Sequence, residues 1–439
     1  MFKLIKGFQK SLFVFIKVAL VLILFAIFYV FFLGESEELR RSINRVSAIV
    51  SSTYLLVCYI MIRVYGGFAI GRKRTKEIVL SMVLAVGMTD LFTYAQLCIM
   101  EKRVMPPQIL LGVLVVHVFA VLVLTKVSND LYYAMNPPKN LLIIHDNPEM
   151  LLRFSKKLKS YLNQFKIEKI MRYDEEQLHR SIRAAQSVML IDVPGEAKEY
   201  ICEYCYKRGK EVYFTPGMAD IVINNAEHEL IDDISMFSYR SEGLTLEERM
   251  VKRSFDLLLS LIATIITAPV MLIEALAIKL EDGGPVFYRQ ERTTLGGKPF
   301  DVLKFRTMIV DAERNGAVLA AKNDSRITKV GAFLRKTRLD ELPQLLNILK
   351  GDMSIVGPRP ERKIIADEYE KDLPEFGYRL RVKAGLTGLA QILGKYNTTP
   401  RDKLVLDLLY IEKYSLKLDL KIMFQTVVVV LTPERTEGV

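Results

Sequence analysis

Four apolar runs in the first 130 residues set what this chain can fold into. They extend over about 12–33, 46–70, 78–100 and 109–124. Each approaches the roughly 20 residues that an α-helix needs to cross a bilayer, so four transmembrane helices are predicted within residues 1–130. The first run lacks the small-residue cleavage site of a signal peptide, and we therefore expect it to remain as a helix in the mature protein.

Basic residues are distributed unevenly around these runs. The loop after the first run carries the acidic residues Glu35, Glu37 and Glu38. The basic residues that precede the first run or separate the second from the third are Lys3, Lys6, Lys10, Arg72, Lys73, Arg74 and Lys76. Because cytoplasmic loops of membrane proteins are enriched in Lys and Arg, this asymmetry predicts that both ends of the four-helix segment face the cytoplasm.

Two ionisable residues, Asp90 and His117, lie inside the third and fourth runs. Ionisable groups in a membrane are costly and are often functional. We interpret these two as interhelical packing contacts, because Thr89, Tyr94 and Gln96 offer hydrogen-bond partners nearby. A functional role within the membrane is the alternative.

The charge of the whole chain and its cysteines narrow the class of protein. The formal net charge of +11 suits an anionic lipid surface, and the apolar runs make lipid a better partner than nucleic acid. The chain has four cysteines, two of them inside apolar runs. This number and placement predict neither a disulfide framework nor a zinc site, and they are typical of a reducing compartment.

Residues 138–240 differ in residue pattern from the apolar segment before them. Short β-rich runs such as NLLIIHD, IEKIMRYD and SVMLIDV alternate with charged helical segments. This alternation predicts a Rossmann-like α/β domain with a parallel sheet. The first strand runs into His145-Asp146-Asn147-Pro148 rather than a glycine-rich turn, so its backbone cannot approach a pyrophosphate closely. We therefore expect a docking or oligomerisation domain, with nucleotide binding as the alternative.

A fifth apolar run follows a basic stretch at 249–253 and contains Pro269. Its apolar length of about 18 residues allows either a complete span or a helix that enters the membrane and returns. A proline inside a helix removes a donor and clashes with the preceding turn, so we expect a kink at Ala268-Pro269. The hydroxyl of Thr267 is one candidate to bond to the carbonyl that the proline leaves free, and a group elsewhere is the alternative.

The stretch 333–360 places two adjacent carboxylates, Asp340 and Glu341, among cationic residues. Pro343 and Gly351 mark the two ends of a short predicted helix after the pair, so either acid could simply cap that helix. Two carboxylates beside guanidinium groups also suit a divalent metal such as Mg²⁺ together with phosphate. An aspartate can in addition accept a phosphoryl group covalently.

Candidate substrate contacts lie on both sides of the acid pair in the sequence. They are Arg335, Arg359, Pro358, Pro360, Lys304 and Arg306. Arginine has a forked set of donors suited to bidentate phosphate contacts. Lys304 and Arg306 alternate along VLKFRTM, so the solvated face of a strand explains them equally well. Asp407 and Tyr410 are weaker candidates, for which one face of a helix is the simpler account.

Several ordered stretches after residue 247 carry a family resemblance. They are KRSFDLLLSL, GGPVFYRQERTTLGGKPFDVLKFRTM, KNDSRITKVGAFLRKTRLDELPQLLNILKGDMSIVGPRP, RLRVKAGLTGLAQILG and LDLLYIEKYSLKLDLKIM. Together they resemble the catalytic domain of the monotopic phosphoglycosyl transferases, the bacterial sugar transferase or polyprenyl glycosylphosphotransferase family. The four predicted spans and the α/β domain resemble the long-form subgroup of that family.

The resemblance implies a mixed, mainly α catalytic domain at 247–439. Its re-entrant membrane helix, at about 252–280, would dip into the cytoplasmic leaflet and return. The family commonly has serine immediately before the proline of this helix, whereas this chain has Ala268. The chain is thereby expected to combine a four-helix transmembrane bundle, a Rossmann-like α/β domain and this catalytic domain.

The resemblance also implies an activity and roles for the acid pair. The family transfers a sugar-1-phosphate from a UDP-sugar to polyprenyl phosphate, commonly undecaprenyl phosphate, and releases UMP. By this match Asp340 is the nucleophile that forms a phosphosugar-aspartate intermediate. Glu341 either binds the metal or positions and deprotonates the lipid phosphate. Mg²⁺ is the expected cofactor, with both acids as ligands.

These implications place the expected protein in the bacterial inner membrane, with its catalytic domain facing the cytoplasm. It would carry out the first membrane step of exopolysaccharide, capsule or O-antigen assembly. The expected partners are a UDP-sugar, polyprenyl phosphate and membrane lipids, with homodimerisation as an option and no nucleic acid. The alternative is a catalytically inert membrane adaptor or regulator of polysaccharide assembly.

Overall fold

The computed structural model describes residues 2–40, 45–224, 226–239, 243–310, 312, 324–394 and 398–430. The chain divides into two compact units, Met1–Thr215 and Pro216–Val439. The first contains the long apolar helices and a parallel sheet, and the second contains the acid pair.

Four long apolar helices begin the first unit. They are α1 (Phe2–Leu33), α3 (Arg45–Tyr65), α4 (Thr75–Met100) and α5 (Pro107–Met135), with the short α2 (Glu37–Arg40) after α1. Each is long and apolar enough to cross a membrane, which confirms the membrane character predicted from the four runs. Helix α4 packs against α3 and α5, and α1 packs against α3 and α5.

A buried polar network joins these four helices. The Nδ1 atom of His117 lies 2.7 Å from one oxygen of Asp90, and the hydroxyl of Tyr54 donates to the other oxygen at 3.3 Å. The Nε2 atom of His117 lies 2.9 Å from the carbonyl of Leu24. The four residues come from four different helices, so the network supports the packing interpretation of Asp90 and His117.

The partners that the sequence suggested for Asp90 and His117 were wrong. The hydroxyl of Thr89 donates to the carbonyl of Ala85, one turn earlier in its own helix. Tyr94 donates to the carbonyl of Met105, and Gln96 donates to Thr53. Sequence proximity did not identify the true partners, because Tyr54 lies on another helix.

A four-stranded sheet completes the first unit. Its strands are β1 (Lys139–His145), β2 (Phe165–Arg172), β3 (Ser187–Ile191) and β4 (Glu211–Phe214), and its helices are α6 (Pro148–Leu158), α7 (Leu178–Ala184) and α8 (Gly195–Tyr206). All neighbouring strands are parallel, which confirms the predicted α/β arrangement. The order β2-β1-β3-β4 is that of the flavodoxin-like doubly wound sheet, since β1 lies between β2 and β3 rather than between β2 and β4.

The side chain of Asn147, in the turn after β1, caps the N-terminus of α6. The Oδ1 atom of Asn147 accepts hydrogen bonds from the backbone amides of Glu149 and Met150 at 2.9 and 3.3 Å. These are the N-terminal amides of α6, the groups to which a phosphate binds in dinucleotide-binding folds. The geometry therefore agrees with the interpretation that this domain lacks a phosphate loop.

The second unit is mainly helical around short two-stranded sheets. Its helices are α9 (Met218–Ile223), α10 (Leu246–Asp282), α11 (Lys329–Thr337), α12 (Gln344–Lys350), α13 (Lys363–Asp372), α14 (Leu389–Leu393), α15 (Pro400–Glu412) and α16 (Leu416–Val430). Its strands are β5 (Glu227–Ile231), β6 (Ile234–Ser238), β7 (Phe287–Thr293), β8 (Pro299–Phe305), β9 (Ser354–Val356) and β10 (Gly385–Thr387). Strands β5 and β6 pair antiparallel, as do β7 and β8, while β9 and β10 are parallel.

The main core of this unit lies between α12, β9, α15 and the strand β8. Ile348, Val356, Leu404 and Val302 are among its fully or almost fully buried members. Ile221 of α9 also belongs to this core, although the sequence placed α9 within the middle domain at 138–240. The short α9 therefore packs with the catalytic part of the chain.

Helix α10 is one helix of 37 residues that continues through Pro269. It begins at a capping box formed by Thr245 and Glu248. The carbonyl that Pro269 leaves without its helical donor is that of Ile265, four residues earlier. The hydroxyl of Thr267 donates instead to the carbonyl of Ala263 at 2.7 Å. Thr267 therefore does not bond to the carbonyl that Pro269 leaves free.

Both ends of α10 are fixed to the same folded unit. Near the start, Lys252 lies 2.6 Å from Asp419 of α16, and Asp256 accepts a 2.7 Å hydrogen bond from Ser354 of β9. At the other end, Glu281 accepts hydrogen bonds from the first backbone amides of α11, at Lys329 and Val330. The side chains near Pro269 are exposed and apolar: Ile265, Ile266, Leu272 and Ile273.

Candidate active site

The acid pair lies on a 3-10 turn, Leu339–Glu341, between α11 and α12. Arg338 starts this turn with a φ of 61°, in the left-handed region that side chains other than glycine rarely adopt. Helix α12 begins after Pro343 without a side-chain cap, and it ends at Gly351 as predicted. The alternative that an acid merely caps α12 by a hydrogen bond is therefore wrong.

Two cations converge on Glu341. The Lys304 ammonium, on β8, and the Arg359 guanidinium each lie 3.0 Å from the Oε1 atom of Glu341. Burial disfavours the carboxylate charge, but Lys304 and Arg359 hold the pKa of Glu341 well below its usual range. These two cations therefore favour the ionised form of Glu341.

Asp340 has a contrasting environment, although it is the neighbouring residue. Its side chain is 9% exposed. Burial raises the pKa of Asp340, and the charge of Glu341 raises it further, while Lys304, Arg338 and Arg335 oppose the rise. Environments that push the pKa values of two adjacent carboxyls apart are typical of sites where the two groups have different chemical roles.

The guanidinium of Arg335 includes a hydrogen-bond donor without a partner among the described residues. Its electrostatic influence reaches Asp340. One terminal guanidinium nitrogen of Arg335 is buried and has no hydrogen-bond partner among the described residues. Because an unpaired buried donor is costly, this nitrogen is suited to receive an anionic group such as a phosphate oxygen.

The turn Pro358-Arg359-Pro360 is held by its backbone. The Pro358 carbonyl accepts a hydrogen bond from Gly385 at 2.9 Å, and the Pro360 carbonyl accepts one from Arg292 at 3.2 Å. These contacts leave the guanidinium of Arg359 directed to Glu341. Hydrogen bonds to the carbonyls of Pro358 and Pro360 thus hold the turn in place.

Arg379 contacts the backbone of the same turn. It donates to the carbonyl of Arg359 at 2.8 Å and pairs with Asp407 at 2.8 Å. Burial raises the pKa of Asp407 to about 6, and Arg379 opposes the rise. Tyr410, the other weak candidate on α15, donates to Asp419 and to the carbonyl of Val356. Both candidates are interior residues, as the helix-face account predicts.

Arg306 is not brought to the acid pair. Its guanidinium forms a bidentate ion pair with Asp282, with one contact at 2.6 Å, and its Nε donates to the carbonyl of Pro285 at 2.6 Å. These bonds join the end of β8 to the end of α10. Of the two alternating basic residues in VLKFRTM, the structure thus places only Lys304 at the acids.

Three features were not predicted from the sequence, namely the conformation of Arg338 and the contributions of Arg379 and Glu274. The left-handed Arg338 has no sequence signal, because arginine is not typical of that conformation. Arg379 is far from the acid motif in sequence and acts through the Arg359 backbone. Glu274 of α10 is 5% exposed, and neither of its carboxylate oxygens has a hydrogen-bond partner among the described residues. An acid within an apolar run was the available signal for Glu274.

The donor set is compatible with Mg²⁺. Among the described residues no group of three or more acidic, histidine or cysteine side chains is arranged to hold a metal ion. Mg²⁺ normally uses only one or two protein carboxylates together with waters and substrate phosphates. Burial and the charge of Glu341 raise the pKa of Asp340, and a divalent cation at this partial site would offset both effects.

Comparison with known proteins identifies the second unit. The bacterial sugar transferase family profile matches residues 247–433. Over 188 residues the chain is 44% identical to a UDP-glucose:undecaprenyl-phosphate glucose-1-phosphate transferase of Caulobacter vibrioides, covering 42% of this chain and 70% of that protein. Over 185 residues it is 42% identical to a UDP-N-acetylgalactosamine-undecaprenyl-phosphate N-acetylgalactosaminephosphotransferase of Aeromonas hydrophila, covering 42% of this chain and 44% of that protein.

A third relative is covered almost completely. It is an exopolysaccharide production protein of Rhizobium leguminosarum, 42% identical over 192 residues, which are 42% of this chain and 96% of that protein. The chain spans less than half of the Aeromonas relative but most of the other two. The matched residues include the acid pair, Lys304 and the Pro358-Arg359-Pro360 turn. The chain therefore belongs to the bacterial sugar transferase family.

Proposed function

We propose that the chain transfers a sugar-1-phosphate from a UDP-sugar to polyprenyl phosphate, commonly undecaprenyl phosphate. The observation that carries this proposal is the placement of a buried Asp340 beside a Glu341 that Lys304 and Arg359 keep ionised. The names of the Caulobacter and Aeromonas relatives describe this reaction with two different sugars. The proposal therefore specifies the reaction and leaves the sugar open.

The proposed chemistry proceeds by two displacements at one phosphorus atom. A carboxylate oxygen of Asp340 attacks the β-phosphorus of the UDP-sugar, and the bond to the bridging oxygen breaks to release UMP. An oxygen of polyprenyl phosphate then attacks the phosphosugar-aspartate, and the bond to the Asp340 oxygen breaks. The products are polyprenyl-diphosphate-sugar and a regenerated aspartate, so the kinetics are ping-pong.

The surrounding cations have separable roles in this scheme. Arg335 contributes its unpaired buried nitrogen to an oxygen of the transferring phosphoryl group. Arg359 and Lys304 fix the carboxylate of Glu341 and partly neutralise the charge that spreads over the phosphoryl oxygens. We assign Arg306 to the attachment of β8 to α10 rather than to substrate, because its guanidinium is already bound to Asp282.

Mg²⁺ fits this site with Asp340 and Glu341 as its protein ligands. When bound, it would neutralise charge on the phosphate groups. Glu341 would offer its Oε2 atom, because its Oε1 atom already accepts from Lys304 and Arg359. The chain's own task is to keep both carboxylates ionised and oriented while the two substrates bind in turn.

We propose that α10 is re-entrant and that the catalytic unit faces the cytoplasm at the inner membrane. A straight helix of this length would separate its ends by about 55 Å. Both ends nevertheless contact the same compact unit, while the apolar side chains around Pro269 are exposed. Hydroxyl groups that bond back along α10, including that of Thr264 to the Ser260 carbonyl at 2.7 Å, favour bending.

The α/β domain is proposed to serve docking or homodimerisation, since Asn147 occupies the helix terminus where a phosphate would bind. In this arrangement the nucleotide site belongs to the second unit. The exposed apolar turn of α10 would bring that site to the depth of a lipid phosphate. A role in the first membrane step of a bacterial surface polysaccharide follows from the proposed product.

The decisive experiment uses full-length protein in nanodiscs with a panel of radiolabelled UDP-sugars, Mg²⁺ and undecaprenyl phosphate. Wild-type protein is expected to release UMP and, without the lipid acceptor, to retain sugar phosphate on the peptide that contains Asp340. Asp340→Asn is expected to abolish both signals. Asp301→Asn, an exposed carboxylate on β8, is the matched control and should leave both intact. Full turnover by Asp340→Asn would rule out the covalent role.

A further inference from the structure

A cavity of about 450 Å³ lies beside the first turns of α10. Its walls combine apolar side chains, among them Leu244 and Val382, with basic ones. The basic residues that line it are Arg249, Lys252, Arg253, Arg381 and Lys383. Asp256 is the one acidic residue in the described lining. The chemistry proposed for Asp340 and Glu341 does not account for this excess of positive charge, since neither of them lines the cavity.

Some of the charged groups in the cavity already have partners within the protein. Asp256 accepts hydrogen bonds from β9 at 2.7 and 3.1 Å. Lys252 lies 2.6 Å from Asp419 of α16, and Arg381 lies 3.8 Å from Glu412 of α15. None of these pairs neutralises the two remaining basic residues that the cavity shares with the end of α12.

These two residues, Arg253 and Lys383, are neighbours. The guanidinium of Arg253 donates to the carbonyls of Ile348 and Leu349 at 2.6 and 2.9 Å. A β-carbon placed on Gly351 would lie 3.3 Å from Nη2 of Arg253 and 3.8 Å from Nζ of Lys383. Burial lowers the pKa of Lys383 and the charge of Arg253 lowers it further, although two nearby carboxylates oppose the decrease. An anion between these two cations would stabilise both charges.

The cavity opens beside the part of α10 that is proposed to enter the membrane. Met250 and Ser254 line it, and both are exposed. Leu258 and Ile262 are exposed as well and continue the same row at intervals of four residues. Basic residues where an apolar segment meets the cytoplasmic leaflet attract the phosphates of anionic lipids. The position therefore suits a headgroup whose acyl chains lie along this apolar row.

We propose that the cavity binds the phosphodiester headgroup of an anionic phospholipid, with Arg253 and Lys383 as donors to its phosphate oxygens. The inference goes beyond the proposed reaction, because this lipid is neither the donor nor the acceptor of the sugar phosphate. It rests on the proposed insertion of α10 in the membrane. A bound headgroup would hold the start of α10 against the C-terminal end of α12, the helix whose other end follows the acid pair.

The test measures lipid binding rather than turnover. Full-length protein in a neutral detergent, stripped of native lipid, is titrated with dioleoylphosphatidylglycerol at constant ionic strength, and bound lipid is counted by native mass spectrometry. Wild-type protein is expected to retain one tightly bound lipid and to gain Tm. Lys383→Gln should weaken this binding about tenfold, because a hydrogen bond between charged groups is lost.

The control variant is Lys371→Gln, which removes the same charge from an exposed position on α13 outside the cavity. It should bind the lipid as the wild type does. Equal weakening in Lys371→Gln and Lys383→Gln would show diffuse attraction by the net charge and would overturn the proposal. Wild-type affinity in Lys383→Gln would overturn it as well.

Two further ligands distinguish a lipid from a soluble anion. Dioleoylphosphatidylcholine lacks the net charge, and inorganic phosphate lacks the acyl chains, so each should raise the Tm of the wild type less than dioleoylphosphatidylglycerol does. Equal stabilisation by inorganic phosphate would assign the cavity to a soluble anion, and equal stabilisation by dioleoylphosphatidylcholine would remove the need for charge. Either result would overturn the proposal.

The Tm of each variant without lipid shows whether it is folded. Arg249→Gln changes a second basic residue of the lining, at an exposed position on the first turns of α10, and should also weaken lipid binding. It keeps the proposal testable if Lys383→Gln is unstable. The labelling of Asp340 by sugar phosphate is scored separately, so the proposed function can stand when this inference fails.

Discussion

The Lys304 ammonium lies 3.0 Å from Oε1 of Glu341, which joins β8 to the turn that carries Asp340. The two residues are separated by 37 positions in the sequence. Strand β8 places Lys304 at the acids and Arg306, two residues later, at Asp282. Strand β8 thus supplies Lys304 to the candidate site, and Arg306, the residue after its end, contacts Asp282 at the end of α10.

Replacing Lys304 with Met should change the pH dependence of turnover. Lys304 helps to hold the pKa of Glu341 low, so its removal raises that pKa toward the ordinary value for glutamate. Loss of a hydrogen bond between charged groups, worth about 1.5–3 kcal/mol, predicts a decrease in kcat/KM of about 10- to 100-fold. The loss should be greatest at acidic pH, where Glu341 begins to be protonated.

The measurement is UMP release between pH 4 and 9, a range whose acidic end approaches the ordinary pKa of glutamate. Lys298→Met removes an exposed lysine at the start of the same hairpin strand and is the matched control. If kcat/KM of Lys304→Met depends on acidic pH in the same way as that of the wild type, the proposed role of Lys304 is contradicted. A uniform decrease at all pH values would assign Lys304 to substrate binding rather than to Glu341.

Replacing Arg379 with Met should destabilise the second unit and disorganise the Pro358-Arg359-Pro360 turn. The change leaves Asp407, which is 1% exposed, without its ion-pair partner. Breaking a buried pair in this way costs about 3–5 kcal/mol. The double variant Arg379→Met with Asp407→Leu removes both charges and is expected to recover most of the lost Tm.

Activity separates the structural role of Arg379 from its positioning role. In the double variant the Arg359 carbonyl still lacks the donor that Arg379 supplied at 2.8 Å. We therefore expect UMP release to remain at least tenfold below wild type even when the Tm is restored. Wild-type kcat/KM in a stable double variant would show that the turn does not need Arg379.

The acid pair and the apolar helices were predictable because their signals are local. A run of apolar residues and a pair of adjacent carboxylates can be read within a short window of sequence. The left-handed Arg338, the burial of Glu274 and the partners of Asp90 depend on segments far apart in the chain. Strand order in the α/β domain is likewise a tertiary property, and the alternation of elements predicted the parallel sheet without fixing its order.

Asp407 should give the stability of the second unit a specific pH dependence. Burial raises the pKa of Asp407 in the folded state to about 6, above its ordinary value. The stabilising contribution of its protonated form is therefore fully present below the unfolded-state pKa and is lost as pH rises through about 6. Asp407→Asn cannot ionise, so the decrease in Tm from pH 5 to pH 7 should be smaller than in wild type. Asp301→Asn should keep the wild-type decrease, and a decrease unchanged by Asp407→Asn would contradict the assignment.

The re-entrant path of α10 can be tested by labelling its two ends. Glu247 and Lys279 are exposed on α10, on opposite sides of Pro269 in the sequence. Each is replaced by cysteine in a background without the four native cysteines, and intact spheroplasts are treated with a membrane-impermeant maleimide. If α10 returns to the cytoplasmic side, both cysteines should react only after the membrane is opened. Reaction of the Lys279→Cys variant in intact spheroplasts, with Glu247→Cys protected, would show a complete span and would separate the two ends that the folded unit holds together.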